Sequence, residues 1–477
     1  MKRASGILMH VSSLWGDYKI GSFGKEAKNF IDFLSNAGFT YWQTLPFCMP
    51  DEVNSPYKSF GAFSGNPYFI DLPTLYKKGL ITEAELLLEK QNSPYLCEFE
   101  SLKSSRLSLL EKASLRFKDM NKMEAFFKEN PEIYDFCTFM ALKAVNGNLP
   151  HSEWTSFTPD NNELKKWCFI EYEFFTEWLE IKSYANSKGI KIIGDMPIYV
   201  DYDSADLFFN KQEFLLNKNG NPKLVAGVPP DYFSSDGQLW GNPLYNYKVM
   251  KENGYKWWTK RLLFYKKFFD GVRIDHFRAF SDYYAIKPTE KTAKNGKWVK
   301  GPKMNLIKKF IENKGDLLII AEDLGVITSD VRDLVNKSGF PGMRVLQFGF
   351  LGNDNSPHLP HNYINNSVAY TGTHDNNTLL GYMWEQPNYL KAKITDYFGV
   401  NNEKWDNSYD EIVRQMLSSS AGLTIFPVQD LLKYGGDTRM NTPGVACNNW
   451  AFRITKNALD SLDANKLNHL NRLYGRK

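Results

Sequence analysis

The chain has 477 residues, 43% of them hydrophobic and 23% charged, an ordinary globular balance that argues against wholesale disorder. Lys and Arg total 58 against 54 Asp and Glu, so a net charge of +4 is spread too thinly for a nucleic-acid groove. No stretch approaches the roughly twenty consecutive apolar residues of a membrane span. The opening "MKRASGILMHVSSLWGD" lacks the apolar run and cleavage site of a secretory signal. The five cysteines are scattered without CxxC spacing, and the expectation is a cytoplasmic protein with neither disulfides nor a zinc site.

In chain order, eight short aliphatic runs end in polar or glycine-containing segments. They are "GILMHV" (6 to 11), "YWQTLP" (41 to 46), "IKIIGDMPIYV" (190 to 200), "GVRID" (271 to 275), "LLIIAEDL" (317 to 324), "MRVLQFGF" (343 to 350), "SVAYTGTHD" (367 to 375) and "LTIFPVQDL" (423 to 431). Most are followed by sequence able to form a helix. Near-continuous apolar strands alternating with helices predict a parallel sheet covered on its outer face, and eight such units predict an α/β fold of the (β/α)8 barrel class. The whole chain, 1–477, reads as one catalytic barrel domain. Residues 75–170, rich in Lys and Glu, read as a helical subdomain inserted between the second and third strands, with leucines 102, 107, 109, 110 and 115 packing on the barrel. Residues 201–256, dense in Gly, Pro and aromatics, read as a long ordered active-site loop.

Barrel enzymes place their chemistry at the C-terminal ends of the strands. Asp195 lies near the end of the third run, Asp275 closes the fourth, Glu322 falls at the end of the fifth and Asp375 closes the seventh. Strand alternation points Arg273 and Asp275 to one face, where the guanidinium would keep the carboxylate ionised. Glu322 follows "LLIIA", and a carboxyl among aliphatic groups facing another acid keeps its proton to higher pH. An ionised and a protonated carboxyl flanking one bond are what glycosidic cleavage requires. Asp375, beside His374, would add a negative charge to steady an oxocarbenium-like transition state. Any one of these acids could instead be a helix cap or a salt-bridge partner. A metal-dependent hydrolase would want an H-x-H after the first strand, where only His10 stands. Aromatic residues reach 15% (12 Trp, 26 Tyr, 34 Phe), a content that suits either a large core or platforms for sugar rings.

Seven blocks in order, "SPYKSFGAFSGNPYFIDL" (55 to 72), "KIIGDMPIYV" (191 to 200), "GVPPDYFSSDGQLWGNPLY" (227 to 245), "GVRIDHFRAF" (271 to 280), "IIAEDLG" (319 to 325), "YTGTHDNNT" (370 to 378) and "RMNTPG" (439 to 444), resemble the 4-α-glucanotransferases, called amylomaltases or disproportionating enzymes, of glycoside hydrolase family 77 in the α-amylase clan. The resemblance spans nearly the full length. It implies Asp275 as nucleophile, Glu322 as general acid/base and Asp375 as transition-state stabiliser. It further implies Arg273 beside the nucleophile, with His374, Tyr57 and Asp195 lining the donor site, Tyr57 stacking on the sugar ring, and Asp231, Gln238 and Trp240 on the acceptor side. The expected partners are a malto-oligosaccharide or glucan donor and acceptor, with no metal or organic cofactor needed for the chemistry. The alternatives are an α-glucan hydrolase using the same carboxylates and a non-catalytic glucan-binding protein.

Overall fold

A computed structural model of the chain describes residues 1–50, 52–230, 234–400 and 405–477. Among these residues there are twelve strands: β1 (Ala4–Leu8), β2 (Tyr41–Gln43), β3 (Lys191–Met196), β4 (Val225–Val228), β5 (Gln238–Pro243), β6 (Gly271–Ile274), β7 (Asp282–Ile286), β8 (Lys297–Lys300), β9 (Leu318–Ala321), β10 (Gly342–Val345), β11 (Ser367–Tyr370) and β12 (Leu423–Pro427). Eight of them close into a parallel barrel in the order β1-β12-β11-β10-β9-β6-β3-β2, the (β/α)8 architecture expected from the eight runs.

The strands form where the aliphatic runs lie because both faces of each are covered. Every residue of β1, β6, β11 and β12 is buried. Helices outside the barrel supply the cover through stripes at helical spacing, such as Ala27, Phe30, Ile31 and Leu34 in helix Lys25–Asn36. In β1, Gly6 lets the neighbouring strand approach, since a Cβ there would lie 2.7 Å from the Cβ of Tyr41.

The polar tails of several runs are not strand. β11 stops at Tyr370, five residues short of Asp375, and β9 stops at Ala321, one short of Glu322. Both acids therefore stand beyond the paired strands, on the loops that follow their C-terminal ends.

Residues 75–170 carry helices Glu83–Leu87, Phe99–Arg116, Met120–Glu129 and Pro131–Val145; the next, Asn161–Ser187, runs on to the foot of β3. In the leucine stripe, Leu102, Leu109 and Leu110 are buried, but Leu115 is 68% exposed. Most aromatic rings serve the core. Trp178, for example, packs among Phe23, Phe47 and Phe269 with ring centroids 4.6 to 5.5 Å away.

The stretch 201–256 is more ordered than a loop. Its β4 and β5 join β7 and β8 in an antiparallel sheet of order β5-β4-β7-β8. Glycine and proline hide the alternation that would reveal these strands. Gly227 is required by the close approach of β5, where an added Cβ would stand 2.3 Å from the Gln238 carbonyl oxygen. Among the described residues no helix is long and apolar enough to cross a membrane. All five cysteines are free, four of them buried.

Candidate active site

β3 and β6 pair with Asp195 opposite Arg273, so the two buried side chains share a face at the barrel mouth. Arg273 Nε donates to Asp195 Oδ2 at 2.9 Å, while its Nη2 donates to Asp275 Oδ1 at 2.9 Å and to the Tyr57 hydroxyl oxygen at 3.2 Å. The Tyr57 hydroxyl in turn donates to Asp195 Oδ2 at 2.8 Å. One guanidinium is thus divided between two carboxylates and a phenol.

The chain turns sharply after Asp275. His276 sits in the left-handed region (φ 51°, ψ 44°), a conformation that costs a side-chain-bearing residue energy and marks a constrained site. That turn aims the His276 backbone N–H at Glu322 Oε2, 2.7 Å away, and the Leu324 N–H reaches Oε1 at 2.9 Å. Asp275 and Glu322 are thereby fixed next to each other. Trp240 meets the His276 ring edge-on, with centroids 4.9 Å apart, and its indole N–H donates to Gln238 Oε1 at 3.0 Å. This sets Trp240 of β5 against the residue that follows Asp275.

Asp375 completes the group. Its Oδ2 lies 3.2 Å from His374 Nε2, and its Oδ1 accepts from Asn441 Nδ2 at 2.6 Å. The His374 ring stacks on Tyr57 at 5.2 Å with an interplanar angle of 18°, and Trp450 flanks both rings at 5.7 and 5.8 Å.

The three acids titrate differently. Burial raises Glu322 to about 8, aided by the nearby Asp275 charge and opposed by Arg273 and the two backbone N–H groups. Burial also raises Asp275, to about 6, against the pull of Arg273. Glu322 therefore holds its proton to higher pH than Asp275. The permanent anion expected at Asp275 needs correction: Arg273 is shared with Asp195, so it does not outweigh desolvation and the negative charges of Asp195 and Asp375. Asp375 behaves in the opposite way. Burial pushes it up, but His374, Asn441 and Arg273 more than offset this and hold it at about 2. Its side chain is also 47% exposed. Tyr57 is driven well above its ordinary value by burial and by Asp195. Among the described residues no group of three or more His, Cys, Asp or Glu is arranged to hold a metal ion.

The family profile described as 4-alpha-glucanotransferase matches residues 9–458 of the chain. The chain belongs to the 4-alpha-glucanotransferase family. It is 41% identical to the 4-alpha-glucanotransferase of Clostridium butyricum, over 98% of this chain and 100% of the relative. It is 39% identical to that of Thermus thermophilus, over 95% of each. Among solved structures it resembles the amylomaltase from Streptococcus agalactiae in complex with acarbose, with a TM-score of 0.95, 37% identity and complete coverage of both chains. The activity of the chain is accordingly of the transferase class, and a net α-glucan hydrolase is not favoured.

Of the residues singled out from sequence, the fold brings Tyr57, Asp195, Arg273, Asp275, Glu322, His374 and Asp375 into one contact network, with Gln238 and Trp240 beside it. Asp231 lies outside the described residues. Tyr57, expected to stack on sugar, has one ring face against His374. Trp450, Arg439 and Asn441 join the site without any individual mark in the sequence. Their signal lies in "RMNTPG" and in the "NW" at 449–450, but nothing in the spacing ties that segment to Asp375.

Proposed function

We propose that transfer proceeds by a retaining double displacement within α-1,4-glucans. Asp275 attacks the anomeric carbon while protonated Glu322 gives its proton to the departing glycosidic oxygen, leaving a glycosyl ester on Asp275. The reducing-end fragment leaves. Glu322, now a carboxylate, takes the proton from the 4-hydroxyl of an incoming glucan, whose oxygen displaces Asp275 and restores an α-1,4 bond. Each step exchanges one glycosidic or ester bond for another, so products redistribute without net loss of linkages.

The arrangement that carries this reading is Asp275, gripped by Arg273, next to Glu322, gripped by the His276 and Leu324 backbone N–H groups, with burial holding the proton more firmly on Glu322 than on Asp275. The protonated one suits an acid and the ionised one a nucleophile. Asp375, held ionised, suits the stabiliser of positive charge at the anomeric carbon. Arg273 would keep Asp275 oriented. Tyr57, Asp195 and His374 would line the donor sugar, and the buried Asp195 Oδ1, without a hydrogen-bond partner among the described residues, would accept from a sugar hydroxyl. Gln238 and Trp240 would hold the acceptor. Donor and acceptor are read as malto-oligosaccharides or longer α-glucans, and five free cysteines suit a reducing, cytoplasmic compartment.

The test is Asp275→Asn with a malto-oligosaccharide donor. The expected result is loss of product formation with an unchanged circular-dichroism spectrum. Wild-type turnover by this variant would remove Asp275 as nucleophile.

A further inference from the structure

Asp375 raises a positioning problem. It sits on a loop five residues beyond the end of β11, outside any strand pairing, and nearly half of its side chain is exposed. Packing does not fix it, yet an electrostatic stabiliser works only when its charge is already in place as the transition state forms.

The segment after β12 provides what packing does not. Arg439 Nη2 donates to the Asp375 carbonyl oxygen at 2.6 Å, and Arg439 Nε donates to the Asn441 carbonyl oxygen at 2.8 Å. Asn441 donates from Nδ2 to Asp375 Oδ1 at 2.6 Å and from its backbone N–H to the His374 carbonyl oxygen at 3.0 Å. Three hydrogen bonds thus tie 374–375 to 439–441 and a fourth braces Arg439 against Asn441, so a single planar guanidinium spans both the acid and the residue that grips its carboxylate. Arg439 is half-buried, with Glu385 and Asp375 as its acidic surroundings.

We infer that Arg439 is a positioning residue for Asp375, fixing that carboxylate at the anomeric carbon by holding its backbone carbonyl together with Asn441. Arg439 acts through these two carbonyl oxygens and not on the reacting atoms. The inference rests on the reading of Asp375 as the transition-state stabiliser. A displacement of about 1 Å in a group of this kind costs on the order of 100-fold in rate. Lys carries the charge but not the planar fork, so it restores only part of the geometry.

The experiment is a double-mutant cycle on the disproportionation of maltotriose, using wild type, Arg439→Gln, Asp375→Asn and the double variant, with Arg439→Lys as the conservative rescue. Arg439→Gln is expected to lower kcat by about 10- to 100-fold with KM within about threefold, because the loss falls on the transition state. Arg439→Lys should recover part of that loss. In the Asp375→Asn background, adding Arg439→Gln should cost no more than about a further threefold, since residues that act as a unit are non-additive. A full multiplicative loss in the double variant, or wild-type kcat for Arg439→Gln, would overturn the inference while leaving Asp375 in its role. Wild-type kcat for Asp375→Asn alone would overturn the reading of Asp375 and the inference with it.

Discussion

Replacing Arg273 with Gln tests how the site sets its working pH. In the free enzyme, kcat/KM should fall on the acid side as Asp275 takes a proton near 6 and on the alkaline side as Glu322 loses one near 8. Arg273 Nη2 stands 2.9 Å from Asp275 Oδ1. At that separation Coulomb's law gives about 1.4 kcal/mol in a water-like dielectric and about 6 kcal/mol near a protein surface. The Asp275 side chain is 32% exposed and shares its guanidinium with Asp195, which places the effect near the lower limit, about one to two pK units. A group titrating at 6 is about 90% ionised at pH 7; after a rise of one to two units, between half and about a tenth remains ionised. The acid limb of kcat/KM for maltotriose should therefore move up by one to two units and close against the Glu322 limb. An acid limb left where it stands in the wild type would refute the claim that Arg273 holds the Asp275 charge.

Three further outcomes follow from the same contacts. Asp275→Asn should raise the thermal midpoint above pH 6. The folded Asp275 protonates near 6 and its ordinary value is 3.8, so stability is lost as pH rises between the two; after discounting for exposure the gain is about 1 kcal/mol, and it should vanish below pH 4. Scanning calorimetry at pH 4 and pH 8 checks this, and an equal gain at both would contradict it. Trp450→Ala removes the ring that flanks Tyr57 and His374 and should raise KM for the donor by about 10-fold, a stacking contact of this kind being worth about 1 kcal/mol or somewhat more. Trp240→Ala should weaken acceptor binding, so chromatography should show a larger share of hydrolysis products; an unchanged transfer-to-hydrolysis ratio would place the acceptor elsewhere.

The barrel was legible because a buried parallel strand announces itself as an unbroken aliphatic run, and each of the eight runs contains or overlaps one barrel strand. The overrun was informative: the polar tails that carry Glu322 and Asp375 are where the backbone leaves the sheet. Strands β4 and β5 of the antiparallel sheet are not legible, because glycine and proline at positions such as Gly227 and Pro243 replace the side chains that would show a period of two. Strand ends pointed to the acids. They could not show that Arg273 is divided between Asp195 and Asp275, nor that Arg439 and Asn441 reach Asp375 from more than sixty residues away, because both depend on which loops fold over the barrel mouth.

Incubating the purified protein with maltotriose alone and resolving all products over time tests the central claim most directly. Glucose together with maltopentaose and longer chains, at a constant number of reducing ends, is the predicted result. Glucose and maltose alone, with reducing ends rising, would mean that water takes the place of the acceptor and would contradict it.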